Sequence, residues 1–309
     1  MIIQKIFQDN ICLLSGCQRS GKSLITAILP SLKKIEIINK EPILGAIFAM
    51  YQTGELKNKA ANYLISFVLS NVNYANFLGR KINLKKSDET SIYHLLNYKN
   101  YLKKITTKSK INLRKLKNNK TIIYDTHNVL LNLGLWSNLN KNIKIINIER
   151  HPITLIYSWY KNGFGNFRYS PISQILLYKY KNKLVPYYAL KWKKKYIKMR
   201  ELDRIINIIY YVIRKSDLEY KKFKNKNKIL RIKYENVLKN PHANLKKIEK
   251  FLSYKSKIFF NRYSKKVNVS KKISENDIHK KLIYLKKNSS KDSHKKIHEL
   301  ISLYSKHNF

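Results

Sequence analysis

Gly16-Cys17-Gln18-Arg19-Ser20-Gly21-Lys22-Ser23 carries the spacing G-x-x-x-x-G-K-[ST]. It follows the apolar run Ile11–Ser15 and precedes a helix-like stretch, Leu24-Ile25-Thr26-Ala27-Ile28-Leu29. A strand, a glycine turn and a helix start make a cradle for phosphate. Backbone N–H groups in the turn point inward, and the helix N-terminus adds partial positive charge. Gly16 and Gly21 permit backbone angles and close approaches that a Cβ would block. Arg19 and Lys22 add two cations, and Ser20 and Ser23 add two hydroxyl donors.

Further candidates stand where other apolar runs end. Thr121-Ile122-Ile123-Tyr124-Asp125 runs into Thr126-His127-Asn128. Asp125 beside a phosphate loop could hold Mg²⁺, as in nucleotide hydrolases. His127 could instead be a general base, or an ordinary polar loop residue. Lys144–Ile148 ends in Glu149-Arg150-His151-Pro152, and Ser158 follows Arg150 by eight positions. With Pro152 opening a helix, Ser158 lies about two turns on, above the same turn. Arg150 and Ser158 could then bind a second phosphate. Ile229–Lys233 leads into Tyr234-Glu235-Asn236-Val237-Leu238 and then Asn240-Pro241. Tyr234 could stack or hydrogen-bond near a base, or be a partly buried residue among the chain's 23 tyrosines.

These positions need strands and helices to hold them. Ile11–Ser15, Ile35–Ile38, Thr121–Asp125, Lys144–Ile148 and Ile229–Lys233 read as buried parallel strands. Helical spacing occupies Ala60–Val72, Ile153–Tyr160, Tyr187–Tyr220 and Asn244–Phe251. The alternation predicts an α/β chain in three layers, a central parallel sheet flanked by helices on both faces. Ligands of such sheets lie beyond the carboxyl ends of the strands. The 309 residues fit a single domain with its core over about residues 10–255. Residues 80–116 read as an insertion over the sheet's carboxyl edge. Residues 263–309 read as a polar tail, with a mobile stretch before partial helix at His294–Tyr304.

The 64 Lys and Arg against 18 Asp and Glu give a formal charge of +46. A polyanion partner is one explanation. The lysines are spread along the whole chain, and Asn, Ile and Tyr are abundant too, which points mainly to AT-rich codon usage. Specific nucleic-acid binding would rest on charge alone, although anionic substrates would be drawn in. Cys12 and Cys17, the two cysteines, cannot staple distant segments, which favours a reducing, cytoplasmic setting. No stretch has the length of a membrane span, and no secretory signal is evident.

Taken together the motifs resemble the sulfotransferase superfamily, whose donor is 3′-phosphoadenosine 5′-phosphosulfate (PAPS). Gln18-Arg19-Ser20-Gly21-Lys22-Ser23 looks like its 5′-phosphosulfate loop. Ile148-Glu149-Arg150-His151-Pro152 through Tyr157-Ser158-Trp159-Tyr160 looks like its 3′-phosphate motif. Tyr234 through Pro241, with Leu245, Ile248, Phe251 and Leu252, resembles the strand–helix unit that follows, and Thr126-His127 is similar to the Thr-His pair of many cytosolic members.

The resemblance implies a P-loop-like fold and a PAPS-dependent transfer, without a required metal, to a hydroxyl or amine of a small-molecule or glycan acceptor. It places Arg19 at the bridging oxygen and transferred group. Ser20, Gly21, Lys22, Ser23 and Leu24 hold the 5′-phosphate, Arg150 and Ser158 the 3′-phosphate, and Tyr234 lies near the adenine. His127 takes the acceptor's proton. The acceptor pocket falls to Met50–Leu56, Arg80–Leu116 and Gly163–Pro186; in or just before the last, Tyr160, Phe164, Phe167 and Tyr169 either line a sugar or lipid site or simply pack. Two departures stand out. Lys22 replaces the family's usual Thr or Ser, and Asp125 replaces the Lys that precedes Thr-His in cytosolic enzymes. The C-terminal Arg-Lys-Gly segment of those enzymes is absent, and Lys271 and Lys272 receive no role. The rival expectation is a Mg²⁺-dependent P-loop kinase or nucleotide hydrolase.

Overall fold

A five-stranded parallel sheet runs through the chain in the order β2-β3-β1-β4-β7. The strands are β1 (Ile11–Gly16), β2 (Ile35–Lys40), β3 (Thr121–Asp125), β4 (Lys144–Glu149) and β7 (Ile229–Lys233), with a separate antiparallel hairpin, β5 (Leu177–Tyr180) and β6 (Lys183–Pro186). The computed structural model describes residues 10–29, 32, 34–88, 90–95, 97–106, 121–139, 143–167, 176–254 and 273–307. Tyr169, Lys271 and Lys272 fall outside the described residues.

All six residues of β1 are buried, because both sheet faces are covered. Alternate side chains go to opposite faces. Cys12 and Leu14 join Ile25, Ile123, Ile146, Ile232 and Ile248 beneath the helices Lys22–Ile28 and Pro241–Leu252. Ile11 and Leu13 join Phe48, Ile65, Leu69, Tyr124 and Trp136 beneath the helices Pro42–Thr53 and Asn58–Phe77. Each fully buried aliphatic side chain contributes about 2 kcal/mol. A third cluster packs the helices Pro152–Lys161 and Glu201–Lys222 against the C-terminal pair Glu275–Asn288 and Lys291–Lys306. No helix among the described residues is long and apolar enough to cross a membrane.

Register sets up the site. Leu14 pairs with Asp125 and Gly16 with Ile148, so the carboxyl ends of β1, β3 and β4 lie level. Glu149 pairs with Lys233, so Arg150 and Tyr234 leave the sheet side by side. The turns bearing Arg19, His127, Arg150 and Tyr234 therefore share one edge.

The expected strands occur, with β1, β2 and β4 each extending one or two residues further at the carboxyl end. Three expectations change. The described part of the stretch expected to be mobile before residue 294 contains a regular helix, Glu275–Asn288, and a second helix spans Lys291–Lys306 rather than a partial one. Leu285, Ile297 and Leu300 are buried there; a thin apolar stripe among lysines specifies the pair. Ser274 and Ser290 cap the two helices by accepting from Asp277 N and Ser293 N. The segment Tyr187–Tyr220 is not one helix but a 3₁₀ turn, a short helix Lys193–Tyr196 and then Glu201–Lys222. The β5–β6 hairpin was not expected, because its turn residues, Lys181 and Asn182, take positive φ of 46° and 55° without a glycine.

Candidate active site

The phosphate-type loop is built as its residue types require. Gly16 has φ +147° and a Cβ there would lie 2.5 Å from Ile148 O. Gly21, at φ +95°, caps the helix Lys22–Ile28, and a Cβ on it would overlap the Tyr234 ring. Arg19 also takes a left-handed φ of 64°, which turns its side chain outward. Trp159 Nε1 donates to Gln18 O at 2.8 Å, tying the loop to the helix Pro152–Lys161. Nothing local in the sequence around Trp159 signals this contact.

Arg150 reaches the loop from the end of β4. Its Nη1 donates to Arg19 O at 2.8 Å and its Nε to Thr154 Oγ1 at 3.1 Å. Its guanidinium lies over the Tyr234 ring, 5.1 Å from the centroid. Arg19 Nε stands 3.4 Å from Ser158 Oγ. Arg19, Arg150, Ser158 and Tyr234 thus gather on one side of the loop. Neither guanidinium pairs with a carboxylate among the described residues, which leaves two adjacent positive charges for an anion.

Beneath Arg150, Glu149 accepts from Arg231 and also contacts His307 Nδ1 at 3.2 Å, while His307 Nε2 contacts Asp217 at 3.1 Å. Burial pushes the Glu149 carboxyl up, but His307 and Arg231 outweigh it and hold it below its usual range. Tyr304 donates to Glu235, whose other oxygen accepts from His151 N at 3.0 Å. The end of the last helix therefore braces the Arg150 turn, a link invisible at a sequence separation of 158.

On the other side of the loop a cavity of about 370 Å³ is bordered by Arg19, Lys22, Ser23, Lys40, Asp125 and His127 among others. Lys22 is 6% exposed and turned into its wall. Its Nζ lies 2.7 Å from Asp125 Oδ1 and 2.8 Å from His127 Nδ1, and donates to Thr126 O. The two departures from the family pattern, Lys22 and Asp125, therefore meet as an ion pair. The His127 turn is pinned by Thr126 N to Leu14 O at 3.0 Å, Asn128 N to Gly16 O at 3.2 Å and Val129 N to Ser15 Oγ at 3.0 Å.

Two of the residues expected at the 5′-phosphate have buried side chains. The Ser20 hydroxyl is buried against Gly16 without a hydrogen-bond partner among the described residues. Leu24 lies in the core, and its N–H is bound to Gly21 O at 3.1 Å. Phe164 stacks on Trp159 at 4.7 Å, Phe167 covers the Arg204 guanidinium at 3.9 Å, and Tyr160 leans on Tyr284 at 5.9 Å, so these aromatics are packed residues. Burial pushes the Cys17 thiol up to about 12, so the loop holds no ready thiolate. Among the described residues no group of three His, Cys, Asp or Glu is placed to share a metal ion.

Burial, then the charge of Lys22, holds His127 well below its ordinary 6.5, while a hydrogen bond with the Gly16 backbone works the other way. A depressed pKa keeps the imidazole neutral at and above pH 6.5. The acid limb of kcat/KM, which reports the free enzyme, is expected below 6.5 rather than at it. The stability linkage has the same sign. The unfolded chain takes up the proton first, so this contribution is present above 6.5 and lost as pH falls through the folded pKa. Denaturant titrations at about pH 7.5 and about pH 5.5 check it: wild type should lose more stability between them than His127→Gln.

With this geometry in hand, the family is clear. A sulfotransferase domain model matches residues 9–306, and the chain belongs to that family of transferases. No curated protein sequence matches it. Among solved structures it is similar to a sulfotransferase domain from the curacin biosynthetic pathway, at 11% identity and a TM-score of 0.46, covering 96% of this chain and 97% of that one. It is also similar to one from the Synechococcus PCC 7002 olefin synthase, at 12% and 0.44, covering 96% and 94%. Mouse sulfotransferase SULT7A1, solved with PAP, overlaps at 14% and 0.42, covering 97% and 86%. The overlaps are loose, and membership rests on the family match.

Proposed function

We propose that this transferase takes a sulfuryl group from PAPS and delivers it to a hydroxyl or amine of a small-molecule or glycan acceptor in the cytoplasm. The observation that carries the reading is the convergence of Arg150, Arg19, Ser158 and Tyr234 beside the glycine loop. A nucleotide with one phosphate chain needs the loop alone. A second cationic site across Gly21, next to an aromatic ring, suits an adenosine with a second phosphate. A Mg²⁺-nucleotide enzyme leaves Arg150 and Ser158 without work, and Asp125 is already paired with Lys22.

In this reading Arg150 and Ser158 hold the 3′-phosphate, and Tyr234 packs near the adenine. Gly21, Lys22 and Ser23 face the 5′-phosphate from the cavity side. The Arg19 guanidinium meets the charge that grows on the bridging oxygen, the kind of fixed stabilisation that lowers such barriers. As the acceptor atom bonds to sulfur, its proton passes to His127. The bond from sulfur to the 5′-phosphate oxygen breaks, and its electron pair leaves with the phosphate. Isothermal titration with 3′,5′-diphosphoadenosine in the absence of magnesium tests the reading. Micromolar or tighter binding is expected, and Mg-ATP should be neither bound as well nor hydrolysed.

A further inference from the structure

Lys22 holds His127 in a form that cannot act as a base. An ammonium has three N–H donors and no acceptor. Three acceptor atoms crowd Nζ here: Asp125 Oδ1 in an ion pair at 2.7 Å, and the Thr126 carbonyl and His127 Nδ1, the latter at 2.8 Å, as hydrogen-bond partners. Because Nζ can only donate, Nδ1 must present its lone pair. The neutral ring then carries its proton on Nε2. Nε2–H is a donor, and the Nδ1 lone pair is occupied, so neither nitrogen can take a proton from an acceptor. Asp125 Oδ1 is buried and forms an ion pair with no other cation among the described residues.

The same ammonium stands at the wall of the cavity that faces the 5′-phosphate. With three acceptor atoms packed around Nζ, a phosphate oxygen can reach it only by displacing one of them. The carboxylate contact is charge-assisted, and the carbonyl belongs to a pinned turn. The neutral imidazole is the weakest of the three acceptors and the one exchanged. We propose that Lys22, anchored by Asp125, is a positioning residue that makes the catalytic base conditional on the donor. In the free protein it occupies His127 Nδ1. With a 5′-phosphate in the cavity it trades that contact for a phosphate oxygen, and the freed lone pair takes the acceptor's proton. An acceptor that arrives first meets no competent base.

This inference rests on the PAPS reading, and one experiment separates the two. Ring-¹⁵N-labelled histidine reports the tautomer directly in the wild-type protein, with His127 assigned by its loss in His127→Gln. Without nucleotide, Nδ1 should give the signal of an unprotonated, hydrogen-bonded nitrogen and Nε2 that of a protonated one. Saturation with 3′,5′-diphosphoadenosine should abolish this fixed pattern, and in Lys22→Met the nucleotide should leave the His127 signals unmoved. Nucleotide binding seen by calorimetry with His127 unchanged in wild type would overturn the inference and leave the donor reading standing. A protonated Nδ1 in the free protein, or a nucleotide response that survives in Lys22→Met, would also overturn it. Absence of nucleotide binding would overturn both.

Discussion

Arg19→Ala is expected to lower kcat by about 10²–10³-fold, the loss of about 3–4 kcal/mol seen when one preorganised oxyanion donor is removed. The side chain is exposed and its one hydrogen-bond contact among the described residues is with Ser158 at 3.4 Å, so little folded structure depends on it. Its backbone already sits at φ 64°, and alanine there is no more strained than arginine. Affinity for 3′,5′-diphosphoadenosine should change less than tenfold, because that nucleotide lacks the transferred group. Arg19→Lys should recover part of the loss, since it restores charge without the two-pronged guanidinium. Steady-state rates with labelled donor, beside calorimetry, separate these effects. Equal losses in turnover and nucleotide affinity would make Arg19 a binding residue instead.

Gly21→Ala is expected to abolish nucleotide binding and to cost about 3 kcal/mol of stability. Two terms contribute. A left-handed φ of +95° penalises any Cβ by about 1–2 kcal/mol, and overpacking adds about 1–3 kcal/mol. The clash is with the Tyr234 ring, over which the Arg150 guanidinium lies. Moving that ring displaces the Arg150 guanidinium as well. Gly54→Ala supplies the control. Gly54 has a similar φ of +85° but open space where a Cβ would go, so only the backbone term remains. Chemical denaturation of both variants should show the difference, and equal losses would mean that the Tyr234 contact is slack.

The sheet was legible because its five strands are short runs rich in Ile and Leu ending in polar turns, and burial on both faces leaves little else for them to be. Arg150 and Ser158 could be paired from spacing because a proline-started helix fixes their offset. The meeting of Lys22 with Asp125 was not legible. Each was visible as a departure, but only the register of β1 against β3 brings the two strand ends level. Ser20 looked like a hydroxyl donor, yet the turn that gives Gly16 its φ of +147° buries that hydroxyl. The C-terminal helices hid for a compositional reason: Leu285, Ile297 and Leu300 are sparse among lysines, and only the packed partner shows which face matters. The brace from His307 to Glu149 spans 158 positions and has no local signal.

The central claim is that the second cationic site reads a 3′-phosphate. Its most direct measurement is the affinity of wild type and Arg150→Ala for 3′,5′-diphosphoadenosine and for adenosine 5′-phosphate, by titration calorimetry at fixed ionic strength. Removing a charged contact to a phosphate costs about 2–5 kcal/mol. Wild type should prefer the diphosphate by about 30-fold or more, and Arg150→Ala should lose most of that preference while binding the monophosphate about as before. A wild-type protein that binds both nucleotides equally, or a preference untouched by Arg150→Ala, would contradict the account.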